Sequence, residues 1–118
     1  MLPKENSEIN PETVAHFIMM LFSVRDSAHI LHLSTKSYAE HKALDEFYNG
    51  VVDFTDSFAE MMQGQLGILP YHNFTVEIPS SSLQLLSGLY AWIKTNRMSL
   101  GTESYIQNEI DNLVKLIS

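Results

Sequence analysis

The chain has 118 residues, 45% of them hydrophobic, and a formal net charge of −7 from 14 acids against 7 bases. That length carries one compact domain, residues 1–118, around a single core. Nucleic-acid affinity comes largely from Lys and Arg displacing counterions, so the acidic balance argues against nucleic acid and anionic membrane as partners. Cysteine is absent, which excludes disulfides and thiolate metal sites, points to an intracellular compartment, and leaves any metal to His and carboxylate ligands.

The opening segment MLPKENSEINPE has no apolar signal region, and the longest uninterrupted apolar run, Phe17 to Phe22, is too short to span a bilayer. A soluble, cytoplasmic protein is expected. The first helix opens at NPET, with Asn10 as N-cap and Pro11 at the first helical position, where its missing N–H is harmless. It should run over 11–33. Val14, Phe17, Ile18, Leu21, Ala28 and Leu31 give it an apolar face, and Met19, Met20 and Phe22 widen that face enough to predict a second buried surface.

STKS breaks the pattern, and SYAE reads as a capping box in which Ser37 caps the next helix and Glu40 reaches back to it. A short turn makes the pair an antiparallel hairpin. Over 38–63, Leu44, Phe47, Val51, Phe54, Phe58 and Met61 recur at three and four residues and form the bundle-facing stripe. Gly50 inside that helix costs about 1 kcal/mol relative to alanine, so close packing or a kink is expected there. Residues 65–79, QLGILPYHNFTVEIP, hold Gly67, Pro70 and Pro79 without a helical period and read as an extended connection. Such a segment reaches about 50 Å, enough to run the length of the bundle. PSSSL starts a third helix over 82–97 with Leu83, Leu86, Leu89, Tyr90 and Ile93, and a fourth follows over 102–117 with Ile106, Ile110, Leu113 and Ile117. The fold predicted is all-α: two helical hairpins joined by one long crossover, the ferritin-like four-helix bundle.

Flanking the core stripe of the second helix runs a second line: His41, Asp45, Tyr48, Val52, Asp56 and Glu60. A solvated helix face is the simpler reading of such a line. Tyr48 and Val52 in its middle weaken that reading, as does the absence of any Lys or Arg from Ala43 through Ile93, a stretch that holds Asp45, Glu46, Asp53, Asp56, Glu60 and Glu77. A divalent cation, iron or zinc, would supply the missing charge. The candidate imidazoles are His29, His32 and His41, around the first turn; a turn centred near Thr35 puts His29 level with His41 and His32 one helical turn nearer the loop. His41 and Asp56 lie about 22 Å apart along one helix, whereas the ligands of one ion lie within about 2–2.3 Å of it. A shared site therefore requires two subunits packed antiparallel about a two-fold axis, with Tyr48 and Val52 near the axis and one site at each end.

The segment HKALDEFYNGVVDFTDSFAEMMQGQLG, His41 to Gly67, resembles the Dps miniferritins, ferritin-like iron-storage proteins of bacteria, in its spacing from His41 through Asp45 and Asp56 to Glu60. The resemblance covers about 30 residues and does not extend to the third and fourth helices. It implies a homodimer or larger assembly and an intersubunit ferroxidase centre. His41 and an upstream His come from one subunit, Asp56 and Glu60 from its partner, and Asp45 stands behind them. His32 matches by local motif although Leu33 replaces the family's Trp; His29 keeps the family's separation; both stand as the upstream ligand. No Lys-rich DNA-binding tail is present. The whole chain also resembles small uncharacterised ferritin-like proteins of tailed phages, through HLSTKSYAEHKALDEFY. That implies an alternative to iron chemistry: an inactive scaffold with a role in the virion or toward a host protein. A third reading is a sequestering protein that holds a small molecule at the apolar interface or at YHNF, Tyr71 to Phe74, although such a cluster is more often packing.

Overall fold

The computed structural model describes residues 9–77 and 79–117. The N-terminal segment read above as lacking a basic tail, and one residue of the 65–79 connection, lie outside them. Among the described residues the chain forms four α-helices and no strand: α1 Pro11–Ser34, α2 Tyr38–Leu66, α3 Ser82–Asn96 and α4 Ser104–Ile117, with a 3-10 turn Arg97–Leu100 between the last two.

Local chemistry sets these bounds. Asn10 Oδ1 accepts the Glu12 N–H at 2.9 Å and Pro11 occupies the first turn of α1. Ser37 Oγ accepts the Glu40 N–H at 3.2 Å at the start of α2. The reciprocal half of the predicted capping box does not form. The Ser37 N–H goes instead to Thr35 Oγ1 at 3.1 Å, and the Glu40 carboxylate accepts the Ser82 hydroxyl at 2.7 Å. α2 continues through Gly64, where a side chain would meet nothing within 4 Å, and stops at Gly67, whose φ of 81° suits glycine.

That Glu40–Ser82 bond fixes the path of the chain. α2 leaves the hairpin turn, and the connection after Leu66 returns the whole way to it, because α3 begins beside the first turn of α2. On its way the connection follows α1: the His72 N–H meets Met19 Sδ at 3.1 Å, and Ser27 Oγ donates to the Glu77 carbonyl at 2.8 Å. α4 then climbs α2 from the other end, with Gln65 bonded to Tyr105 near one terminus and Leu116 against Gly50 near the other. The second hairpin is much the shorter, about 22 Å per helix against about 36–44 Å for α1 and α2.

The core follows the expected stripes. Val14, Phe17, Ile18, Leu21, Val51, Phe58, Ile106 and Ile110 are wholly buried. At its centre Phe17 meets Phe58 edge-on at 5.4 Å and stacks on Trp92 at 5.2 Å, a geometry that adds to plain area burial. The surplus apolar surface of α1 is partly met by the connection, which covers Met19 and brings Phe74 within 6.3 Å of Phe22. Leu83 and Tyr90, expected in the core, stand exposed, because α3 turns only Leu89 and Ile93 fully inward. By length and composition alone α1 could cross a membrane. Its apolar residues are the bundle core, which accounts for that composition.

Candidate functional site

The three candidate histidines converge on the closed end of the α1–α2 hairpin. α1 runs one residue further than predicted, so the turn is Thr35–Ser37 and centres on Lys36. The level partner of His41 thereby moves toward the loop, and His32 rather than His29 meets it. Their rings stack at a centroid distance of 3.6 Å. Each imidazole also reaches the other's backbone: His32 Nδ1 lies 2.6 Å from the His41 carbonyl oxygen and His41 Nδ1 lies 2.8 Å from that of His32. A carbonyl oxygen only accepts, so each Nδ1 donates its proton, and in the neutral ring Nε2 then carries the lone pair. Metal-binding histidines are commonly held this way, one nitrogen tied to a carbonyl and the other free to ligate.

His29 sits one helical turn back, stacked on Tyr48 at 4.4 Å, with its ring 6.0 Å from that of His32. Tyr48 is buried and donates its hydroxyl to Asp45 Oδ1 at 2.9 Å. Desolvation raises the Tyr48 phenol above its ordinary value, the Asp45 carboxylate adds to that, and the Arg25 charge opposes it. His32, His41 and Asp45 line one open pocket with Tyr38 and Lys42.

Asp56 and Glu60 lie far down α2, both exposed. Within one chain they do not approach the histidines, and among the described residues no three His, Asp or Glu side chains gather closely enough to hold an ion. What a single chain offers is two half-sets: imidazoles at one end of α2 and carboxylates toward the other.

Three neighbours escaped the sequence reading. Tyr38 and Lys42 enter the histidine pocket from the first turn of α2. Arg25 reaches the acidic end: with Leu21, Phe22, Val52, Thr55 and Asp56 it lines a cavity of about 180 Å³. Its guanidinium pairs with Asp26 at 3.1 Å while its Nε is buried without a partner. Asp56 therefore does have a cation nearby, supplied by the other helix of the hairpin. The signal was present, since Arg25, His29 and His32 fall at i, i+4 and i+7 and so share one face of α1.

The fold and site thus define a small helical protein with a histidine clasp at a hairpin end and an acidic face along its longest helix. The chain belongs to a family of unknown function, DUF5856, whose profile matches residues 32–118 and so takes in the clasp and the acidic face. It is similar to an uncharacterized 14.6 kDa protein from the mobD-ri intergenic region of Enterobacteria phage T4, at 32% identity over 72 residues. That similarity covers 61% of this chain and 53% of the phage protein, so the chain spans about half the length of this relative. No solved structure matches.

Proposed function

We propose that this is a phage-encoded, ferritin-like protein that dimerises through the outer α1–α2 face and holds a divalent cation between subunits. Iron is the foremost candidate and zinc the competitor. His41 and His32, with His29 as the alternative upstream ligand, supply nitrogen from one protomer; Asp56 and Glu60 of a second copy supply oxygen, with Asp45 orienting the site from behind. Fe(II) would be the substrate of a ferroxidase reaction there, in the host cytoplasm. The observation that supports this reading best is the reciprocal Nδ1–carbonyl pairing of His32 and His41, which in the neutral rings leaves both Nε2 lone pairs for a ligand. The long crossover and the return of α3 to the start of α2 agree with a ferritin-like topology. Antiparallel copies would also bring the Lys42 and histidine end of one α2 against the acidic end of the other, a complementary match.

A second reading has its own support. The reciprocal bonds of the clasp close the hairpin without any metal, and Arg25 provides positive charge beside Asp56. On that reading the bundle is an inactive scaffold that contacts a host protein or a virion component. Anaerobic titration of the apoprotein with Fe(II) and separately with Zn(II), followed by peroxide, decides between them. Saturable binding that Asp56→Asn with Glu60→Gln abolishes, and oxidation above the buffer rate, support the metal site. If the wild-type protein neither binds nor oxidises, the scaffold reading stands.

A further inference from the structure

On the opposite flank of α1, sulfur and imidazole donors gather where the connection lies against the helix. His16, Met19 and Met20 fall at i, i+3 and i+4 and so share a face. With His72, Asn73 and Phe74 they line a pocket of about 320 Å³. Met19 is 3% exposed, and its sulfur takes the His72 backbone N–H at 3.1 Å, anchoring the residue whose side chain enters the same pocket. His72 Nδ1 lies 2.9 Å from the Asn73 carbonyl oxygen. That oxygen only accepts, so Nδ1 carries the proton, and in the neutral ring Nε2 is the nitrogen open to a metal.

The lining holds two thioethers and two imidazoles, and no carboxylate, Lys or Arg. This composition selects the ion. A hard divalent cation would bring two charges to a site with no anion to meet them, whereas thioether and imidazole suit a soft monovalent ion. We propose that this pocket binds Cu(I), with the His72 and His16 imidazoles and the Met20 and Met19 sulfurs as its donor set, clipping the connection to α1. The site is separate from the α1–α2 face and does not depend on dimerisation. It also departs from the expectation that a metal here requires carboxylates.

The test is anaerobic competition of the full-length protein against the chromogenic Cu(I) chelator bicinchoninate, with X-ray absorption of the loaded sample. The wild type is expected to retain one Cu(I) with sulfur in the first shell. Met20→Leu with His72→Gln, a pair that conserves volume at both positions, should weaken retention by more than about tenfold, with helical circular dichroism unchanged as the folding control. His32→Gln with His41→Gln should leave retention intact, which separates this site from the proposed intersubunit one. Complete loss of copper to the chelator, a first shell of nitrogen and oxygen alone, or loss of binding only when His32 and His41 are replaced would each overturn the proposal.

Discussion

Ser82 Oγ donates to the Glu40 carboxylate at 2.7 Å, joining the first turn of α3 to the first turn of α2 across 42 residues of sequence. The Thr35 and Ser82 hydroxyls beside this carboxylate lower the Glu40 pKa, Thr35 contributing most, against an opposing effect of burial. The ionised form is thus the one the fold favours. A carboxylate depressed in the folded state adds stability that is present above its unfolded pKa and is lost as pH falls through the folded one. Urea midpoints of the wild type should therefore fall more on acidification through the carboxylate range than those of Glu40→Gln, the two curves converging at the acid end. Parallel curves would show that the bond carries no pH-dependent stability.

The clasp at the hairpin turn has a measurable strength. Replacing His32 by alanine removes one imidazole and its bond to the His41 carbonyl, which keeps its helical backbone donor, and strips a ring from the stack. Losing one such hydrogen bond costs about 0.5–1.5 kcal/mol net, so His32→Ala should lower denaturant stability by at least that amount, the lost ring packing adding to it. His29→Ala, which loses a stacking contact with Tyr48, should cost less. Trp92, the chain's one tryptophan, stacks on Phe17 and reports both transitions by fluorescence.

An antiparallel dimer of this kind would rest on charge pairing as well as on metal. If antiparallel copies set Lys42 of one protomer near Asp56 and Glu60 of the other, Glu60→Lys should shift sedimentation toward the monomer. Adding Lys42→Glu in the same chain should restore the dimer, because the swap recreates the opposite-sign pair. A chain that stays monomeric at every concentration, wild type included, would remove the composite site altogether.

Much of the fold could be read from the sequence because amphipathic stripes and caps are local. Phe17, Phe47, Val51 and Phe58 lie where their spacing put them, and Asn10, Pro11 and Ser37 start their helices as their side chains dictate. The errors are long-range. In the sequence Gly64 and Gly67 both mark the end of this helix, and of the two only Gly67 stops it: Gly64 lies in open surroundings and a helical glycine costs only about 1 kcal/mol, so α2 runs past the expected 38–63 until Gly67 requires a positive φ. Glu40 reads as half of a capping box, but Ser82 arrives from a distant segment and takes its carboxylate. At the candidate site, the line on α2 was visible as a pattern. The pairing of His32 with His41 and the approach of Arg25 to Asp56 depend on the register of α1, which a one-residue shift of the turn alters.

Two glycines should respond oppositely to the same substitution. A Cβ at Gly50 would lie 2.7 Å from Leu116 Cδ2, the tip of a half-buried side chain on the last turns of α4. The glycine there admits a close neighbour, the close packing its place in the helix led us to expect. Leu116 can rotate away, and alanine gains up to about 1 kcal/mol of helix propensity, so Gly50→Ala should be close to neutral in chemical denaturation. Gly101 lies at φ 130°, and a Cβ there would come 2.6 Å from Ile106 Cδ1 and 3.3 Å from Ile9 Cδ1, both buried core side chains. Backbone strain alone is about 1–3 kcal/mol for such a conformation, and the crowded core adds to it. Gly101→Ala should therefore lower stability by at least about 2 kcal/mol, enough to move the thermal midpoint by several degrees in a domain of this size. Equal effects at the two glycines would contradict the packing described for the second hairpin.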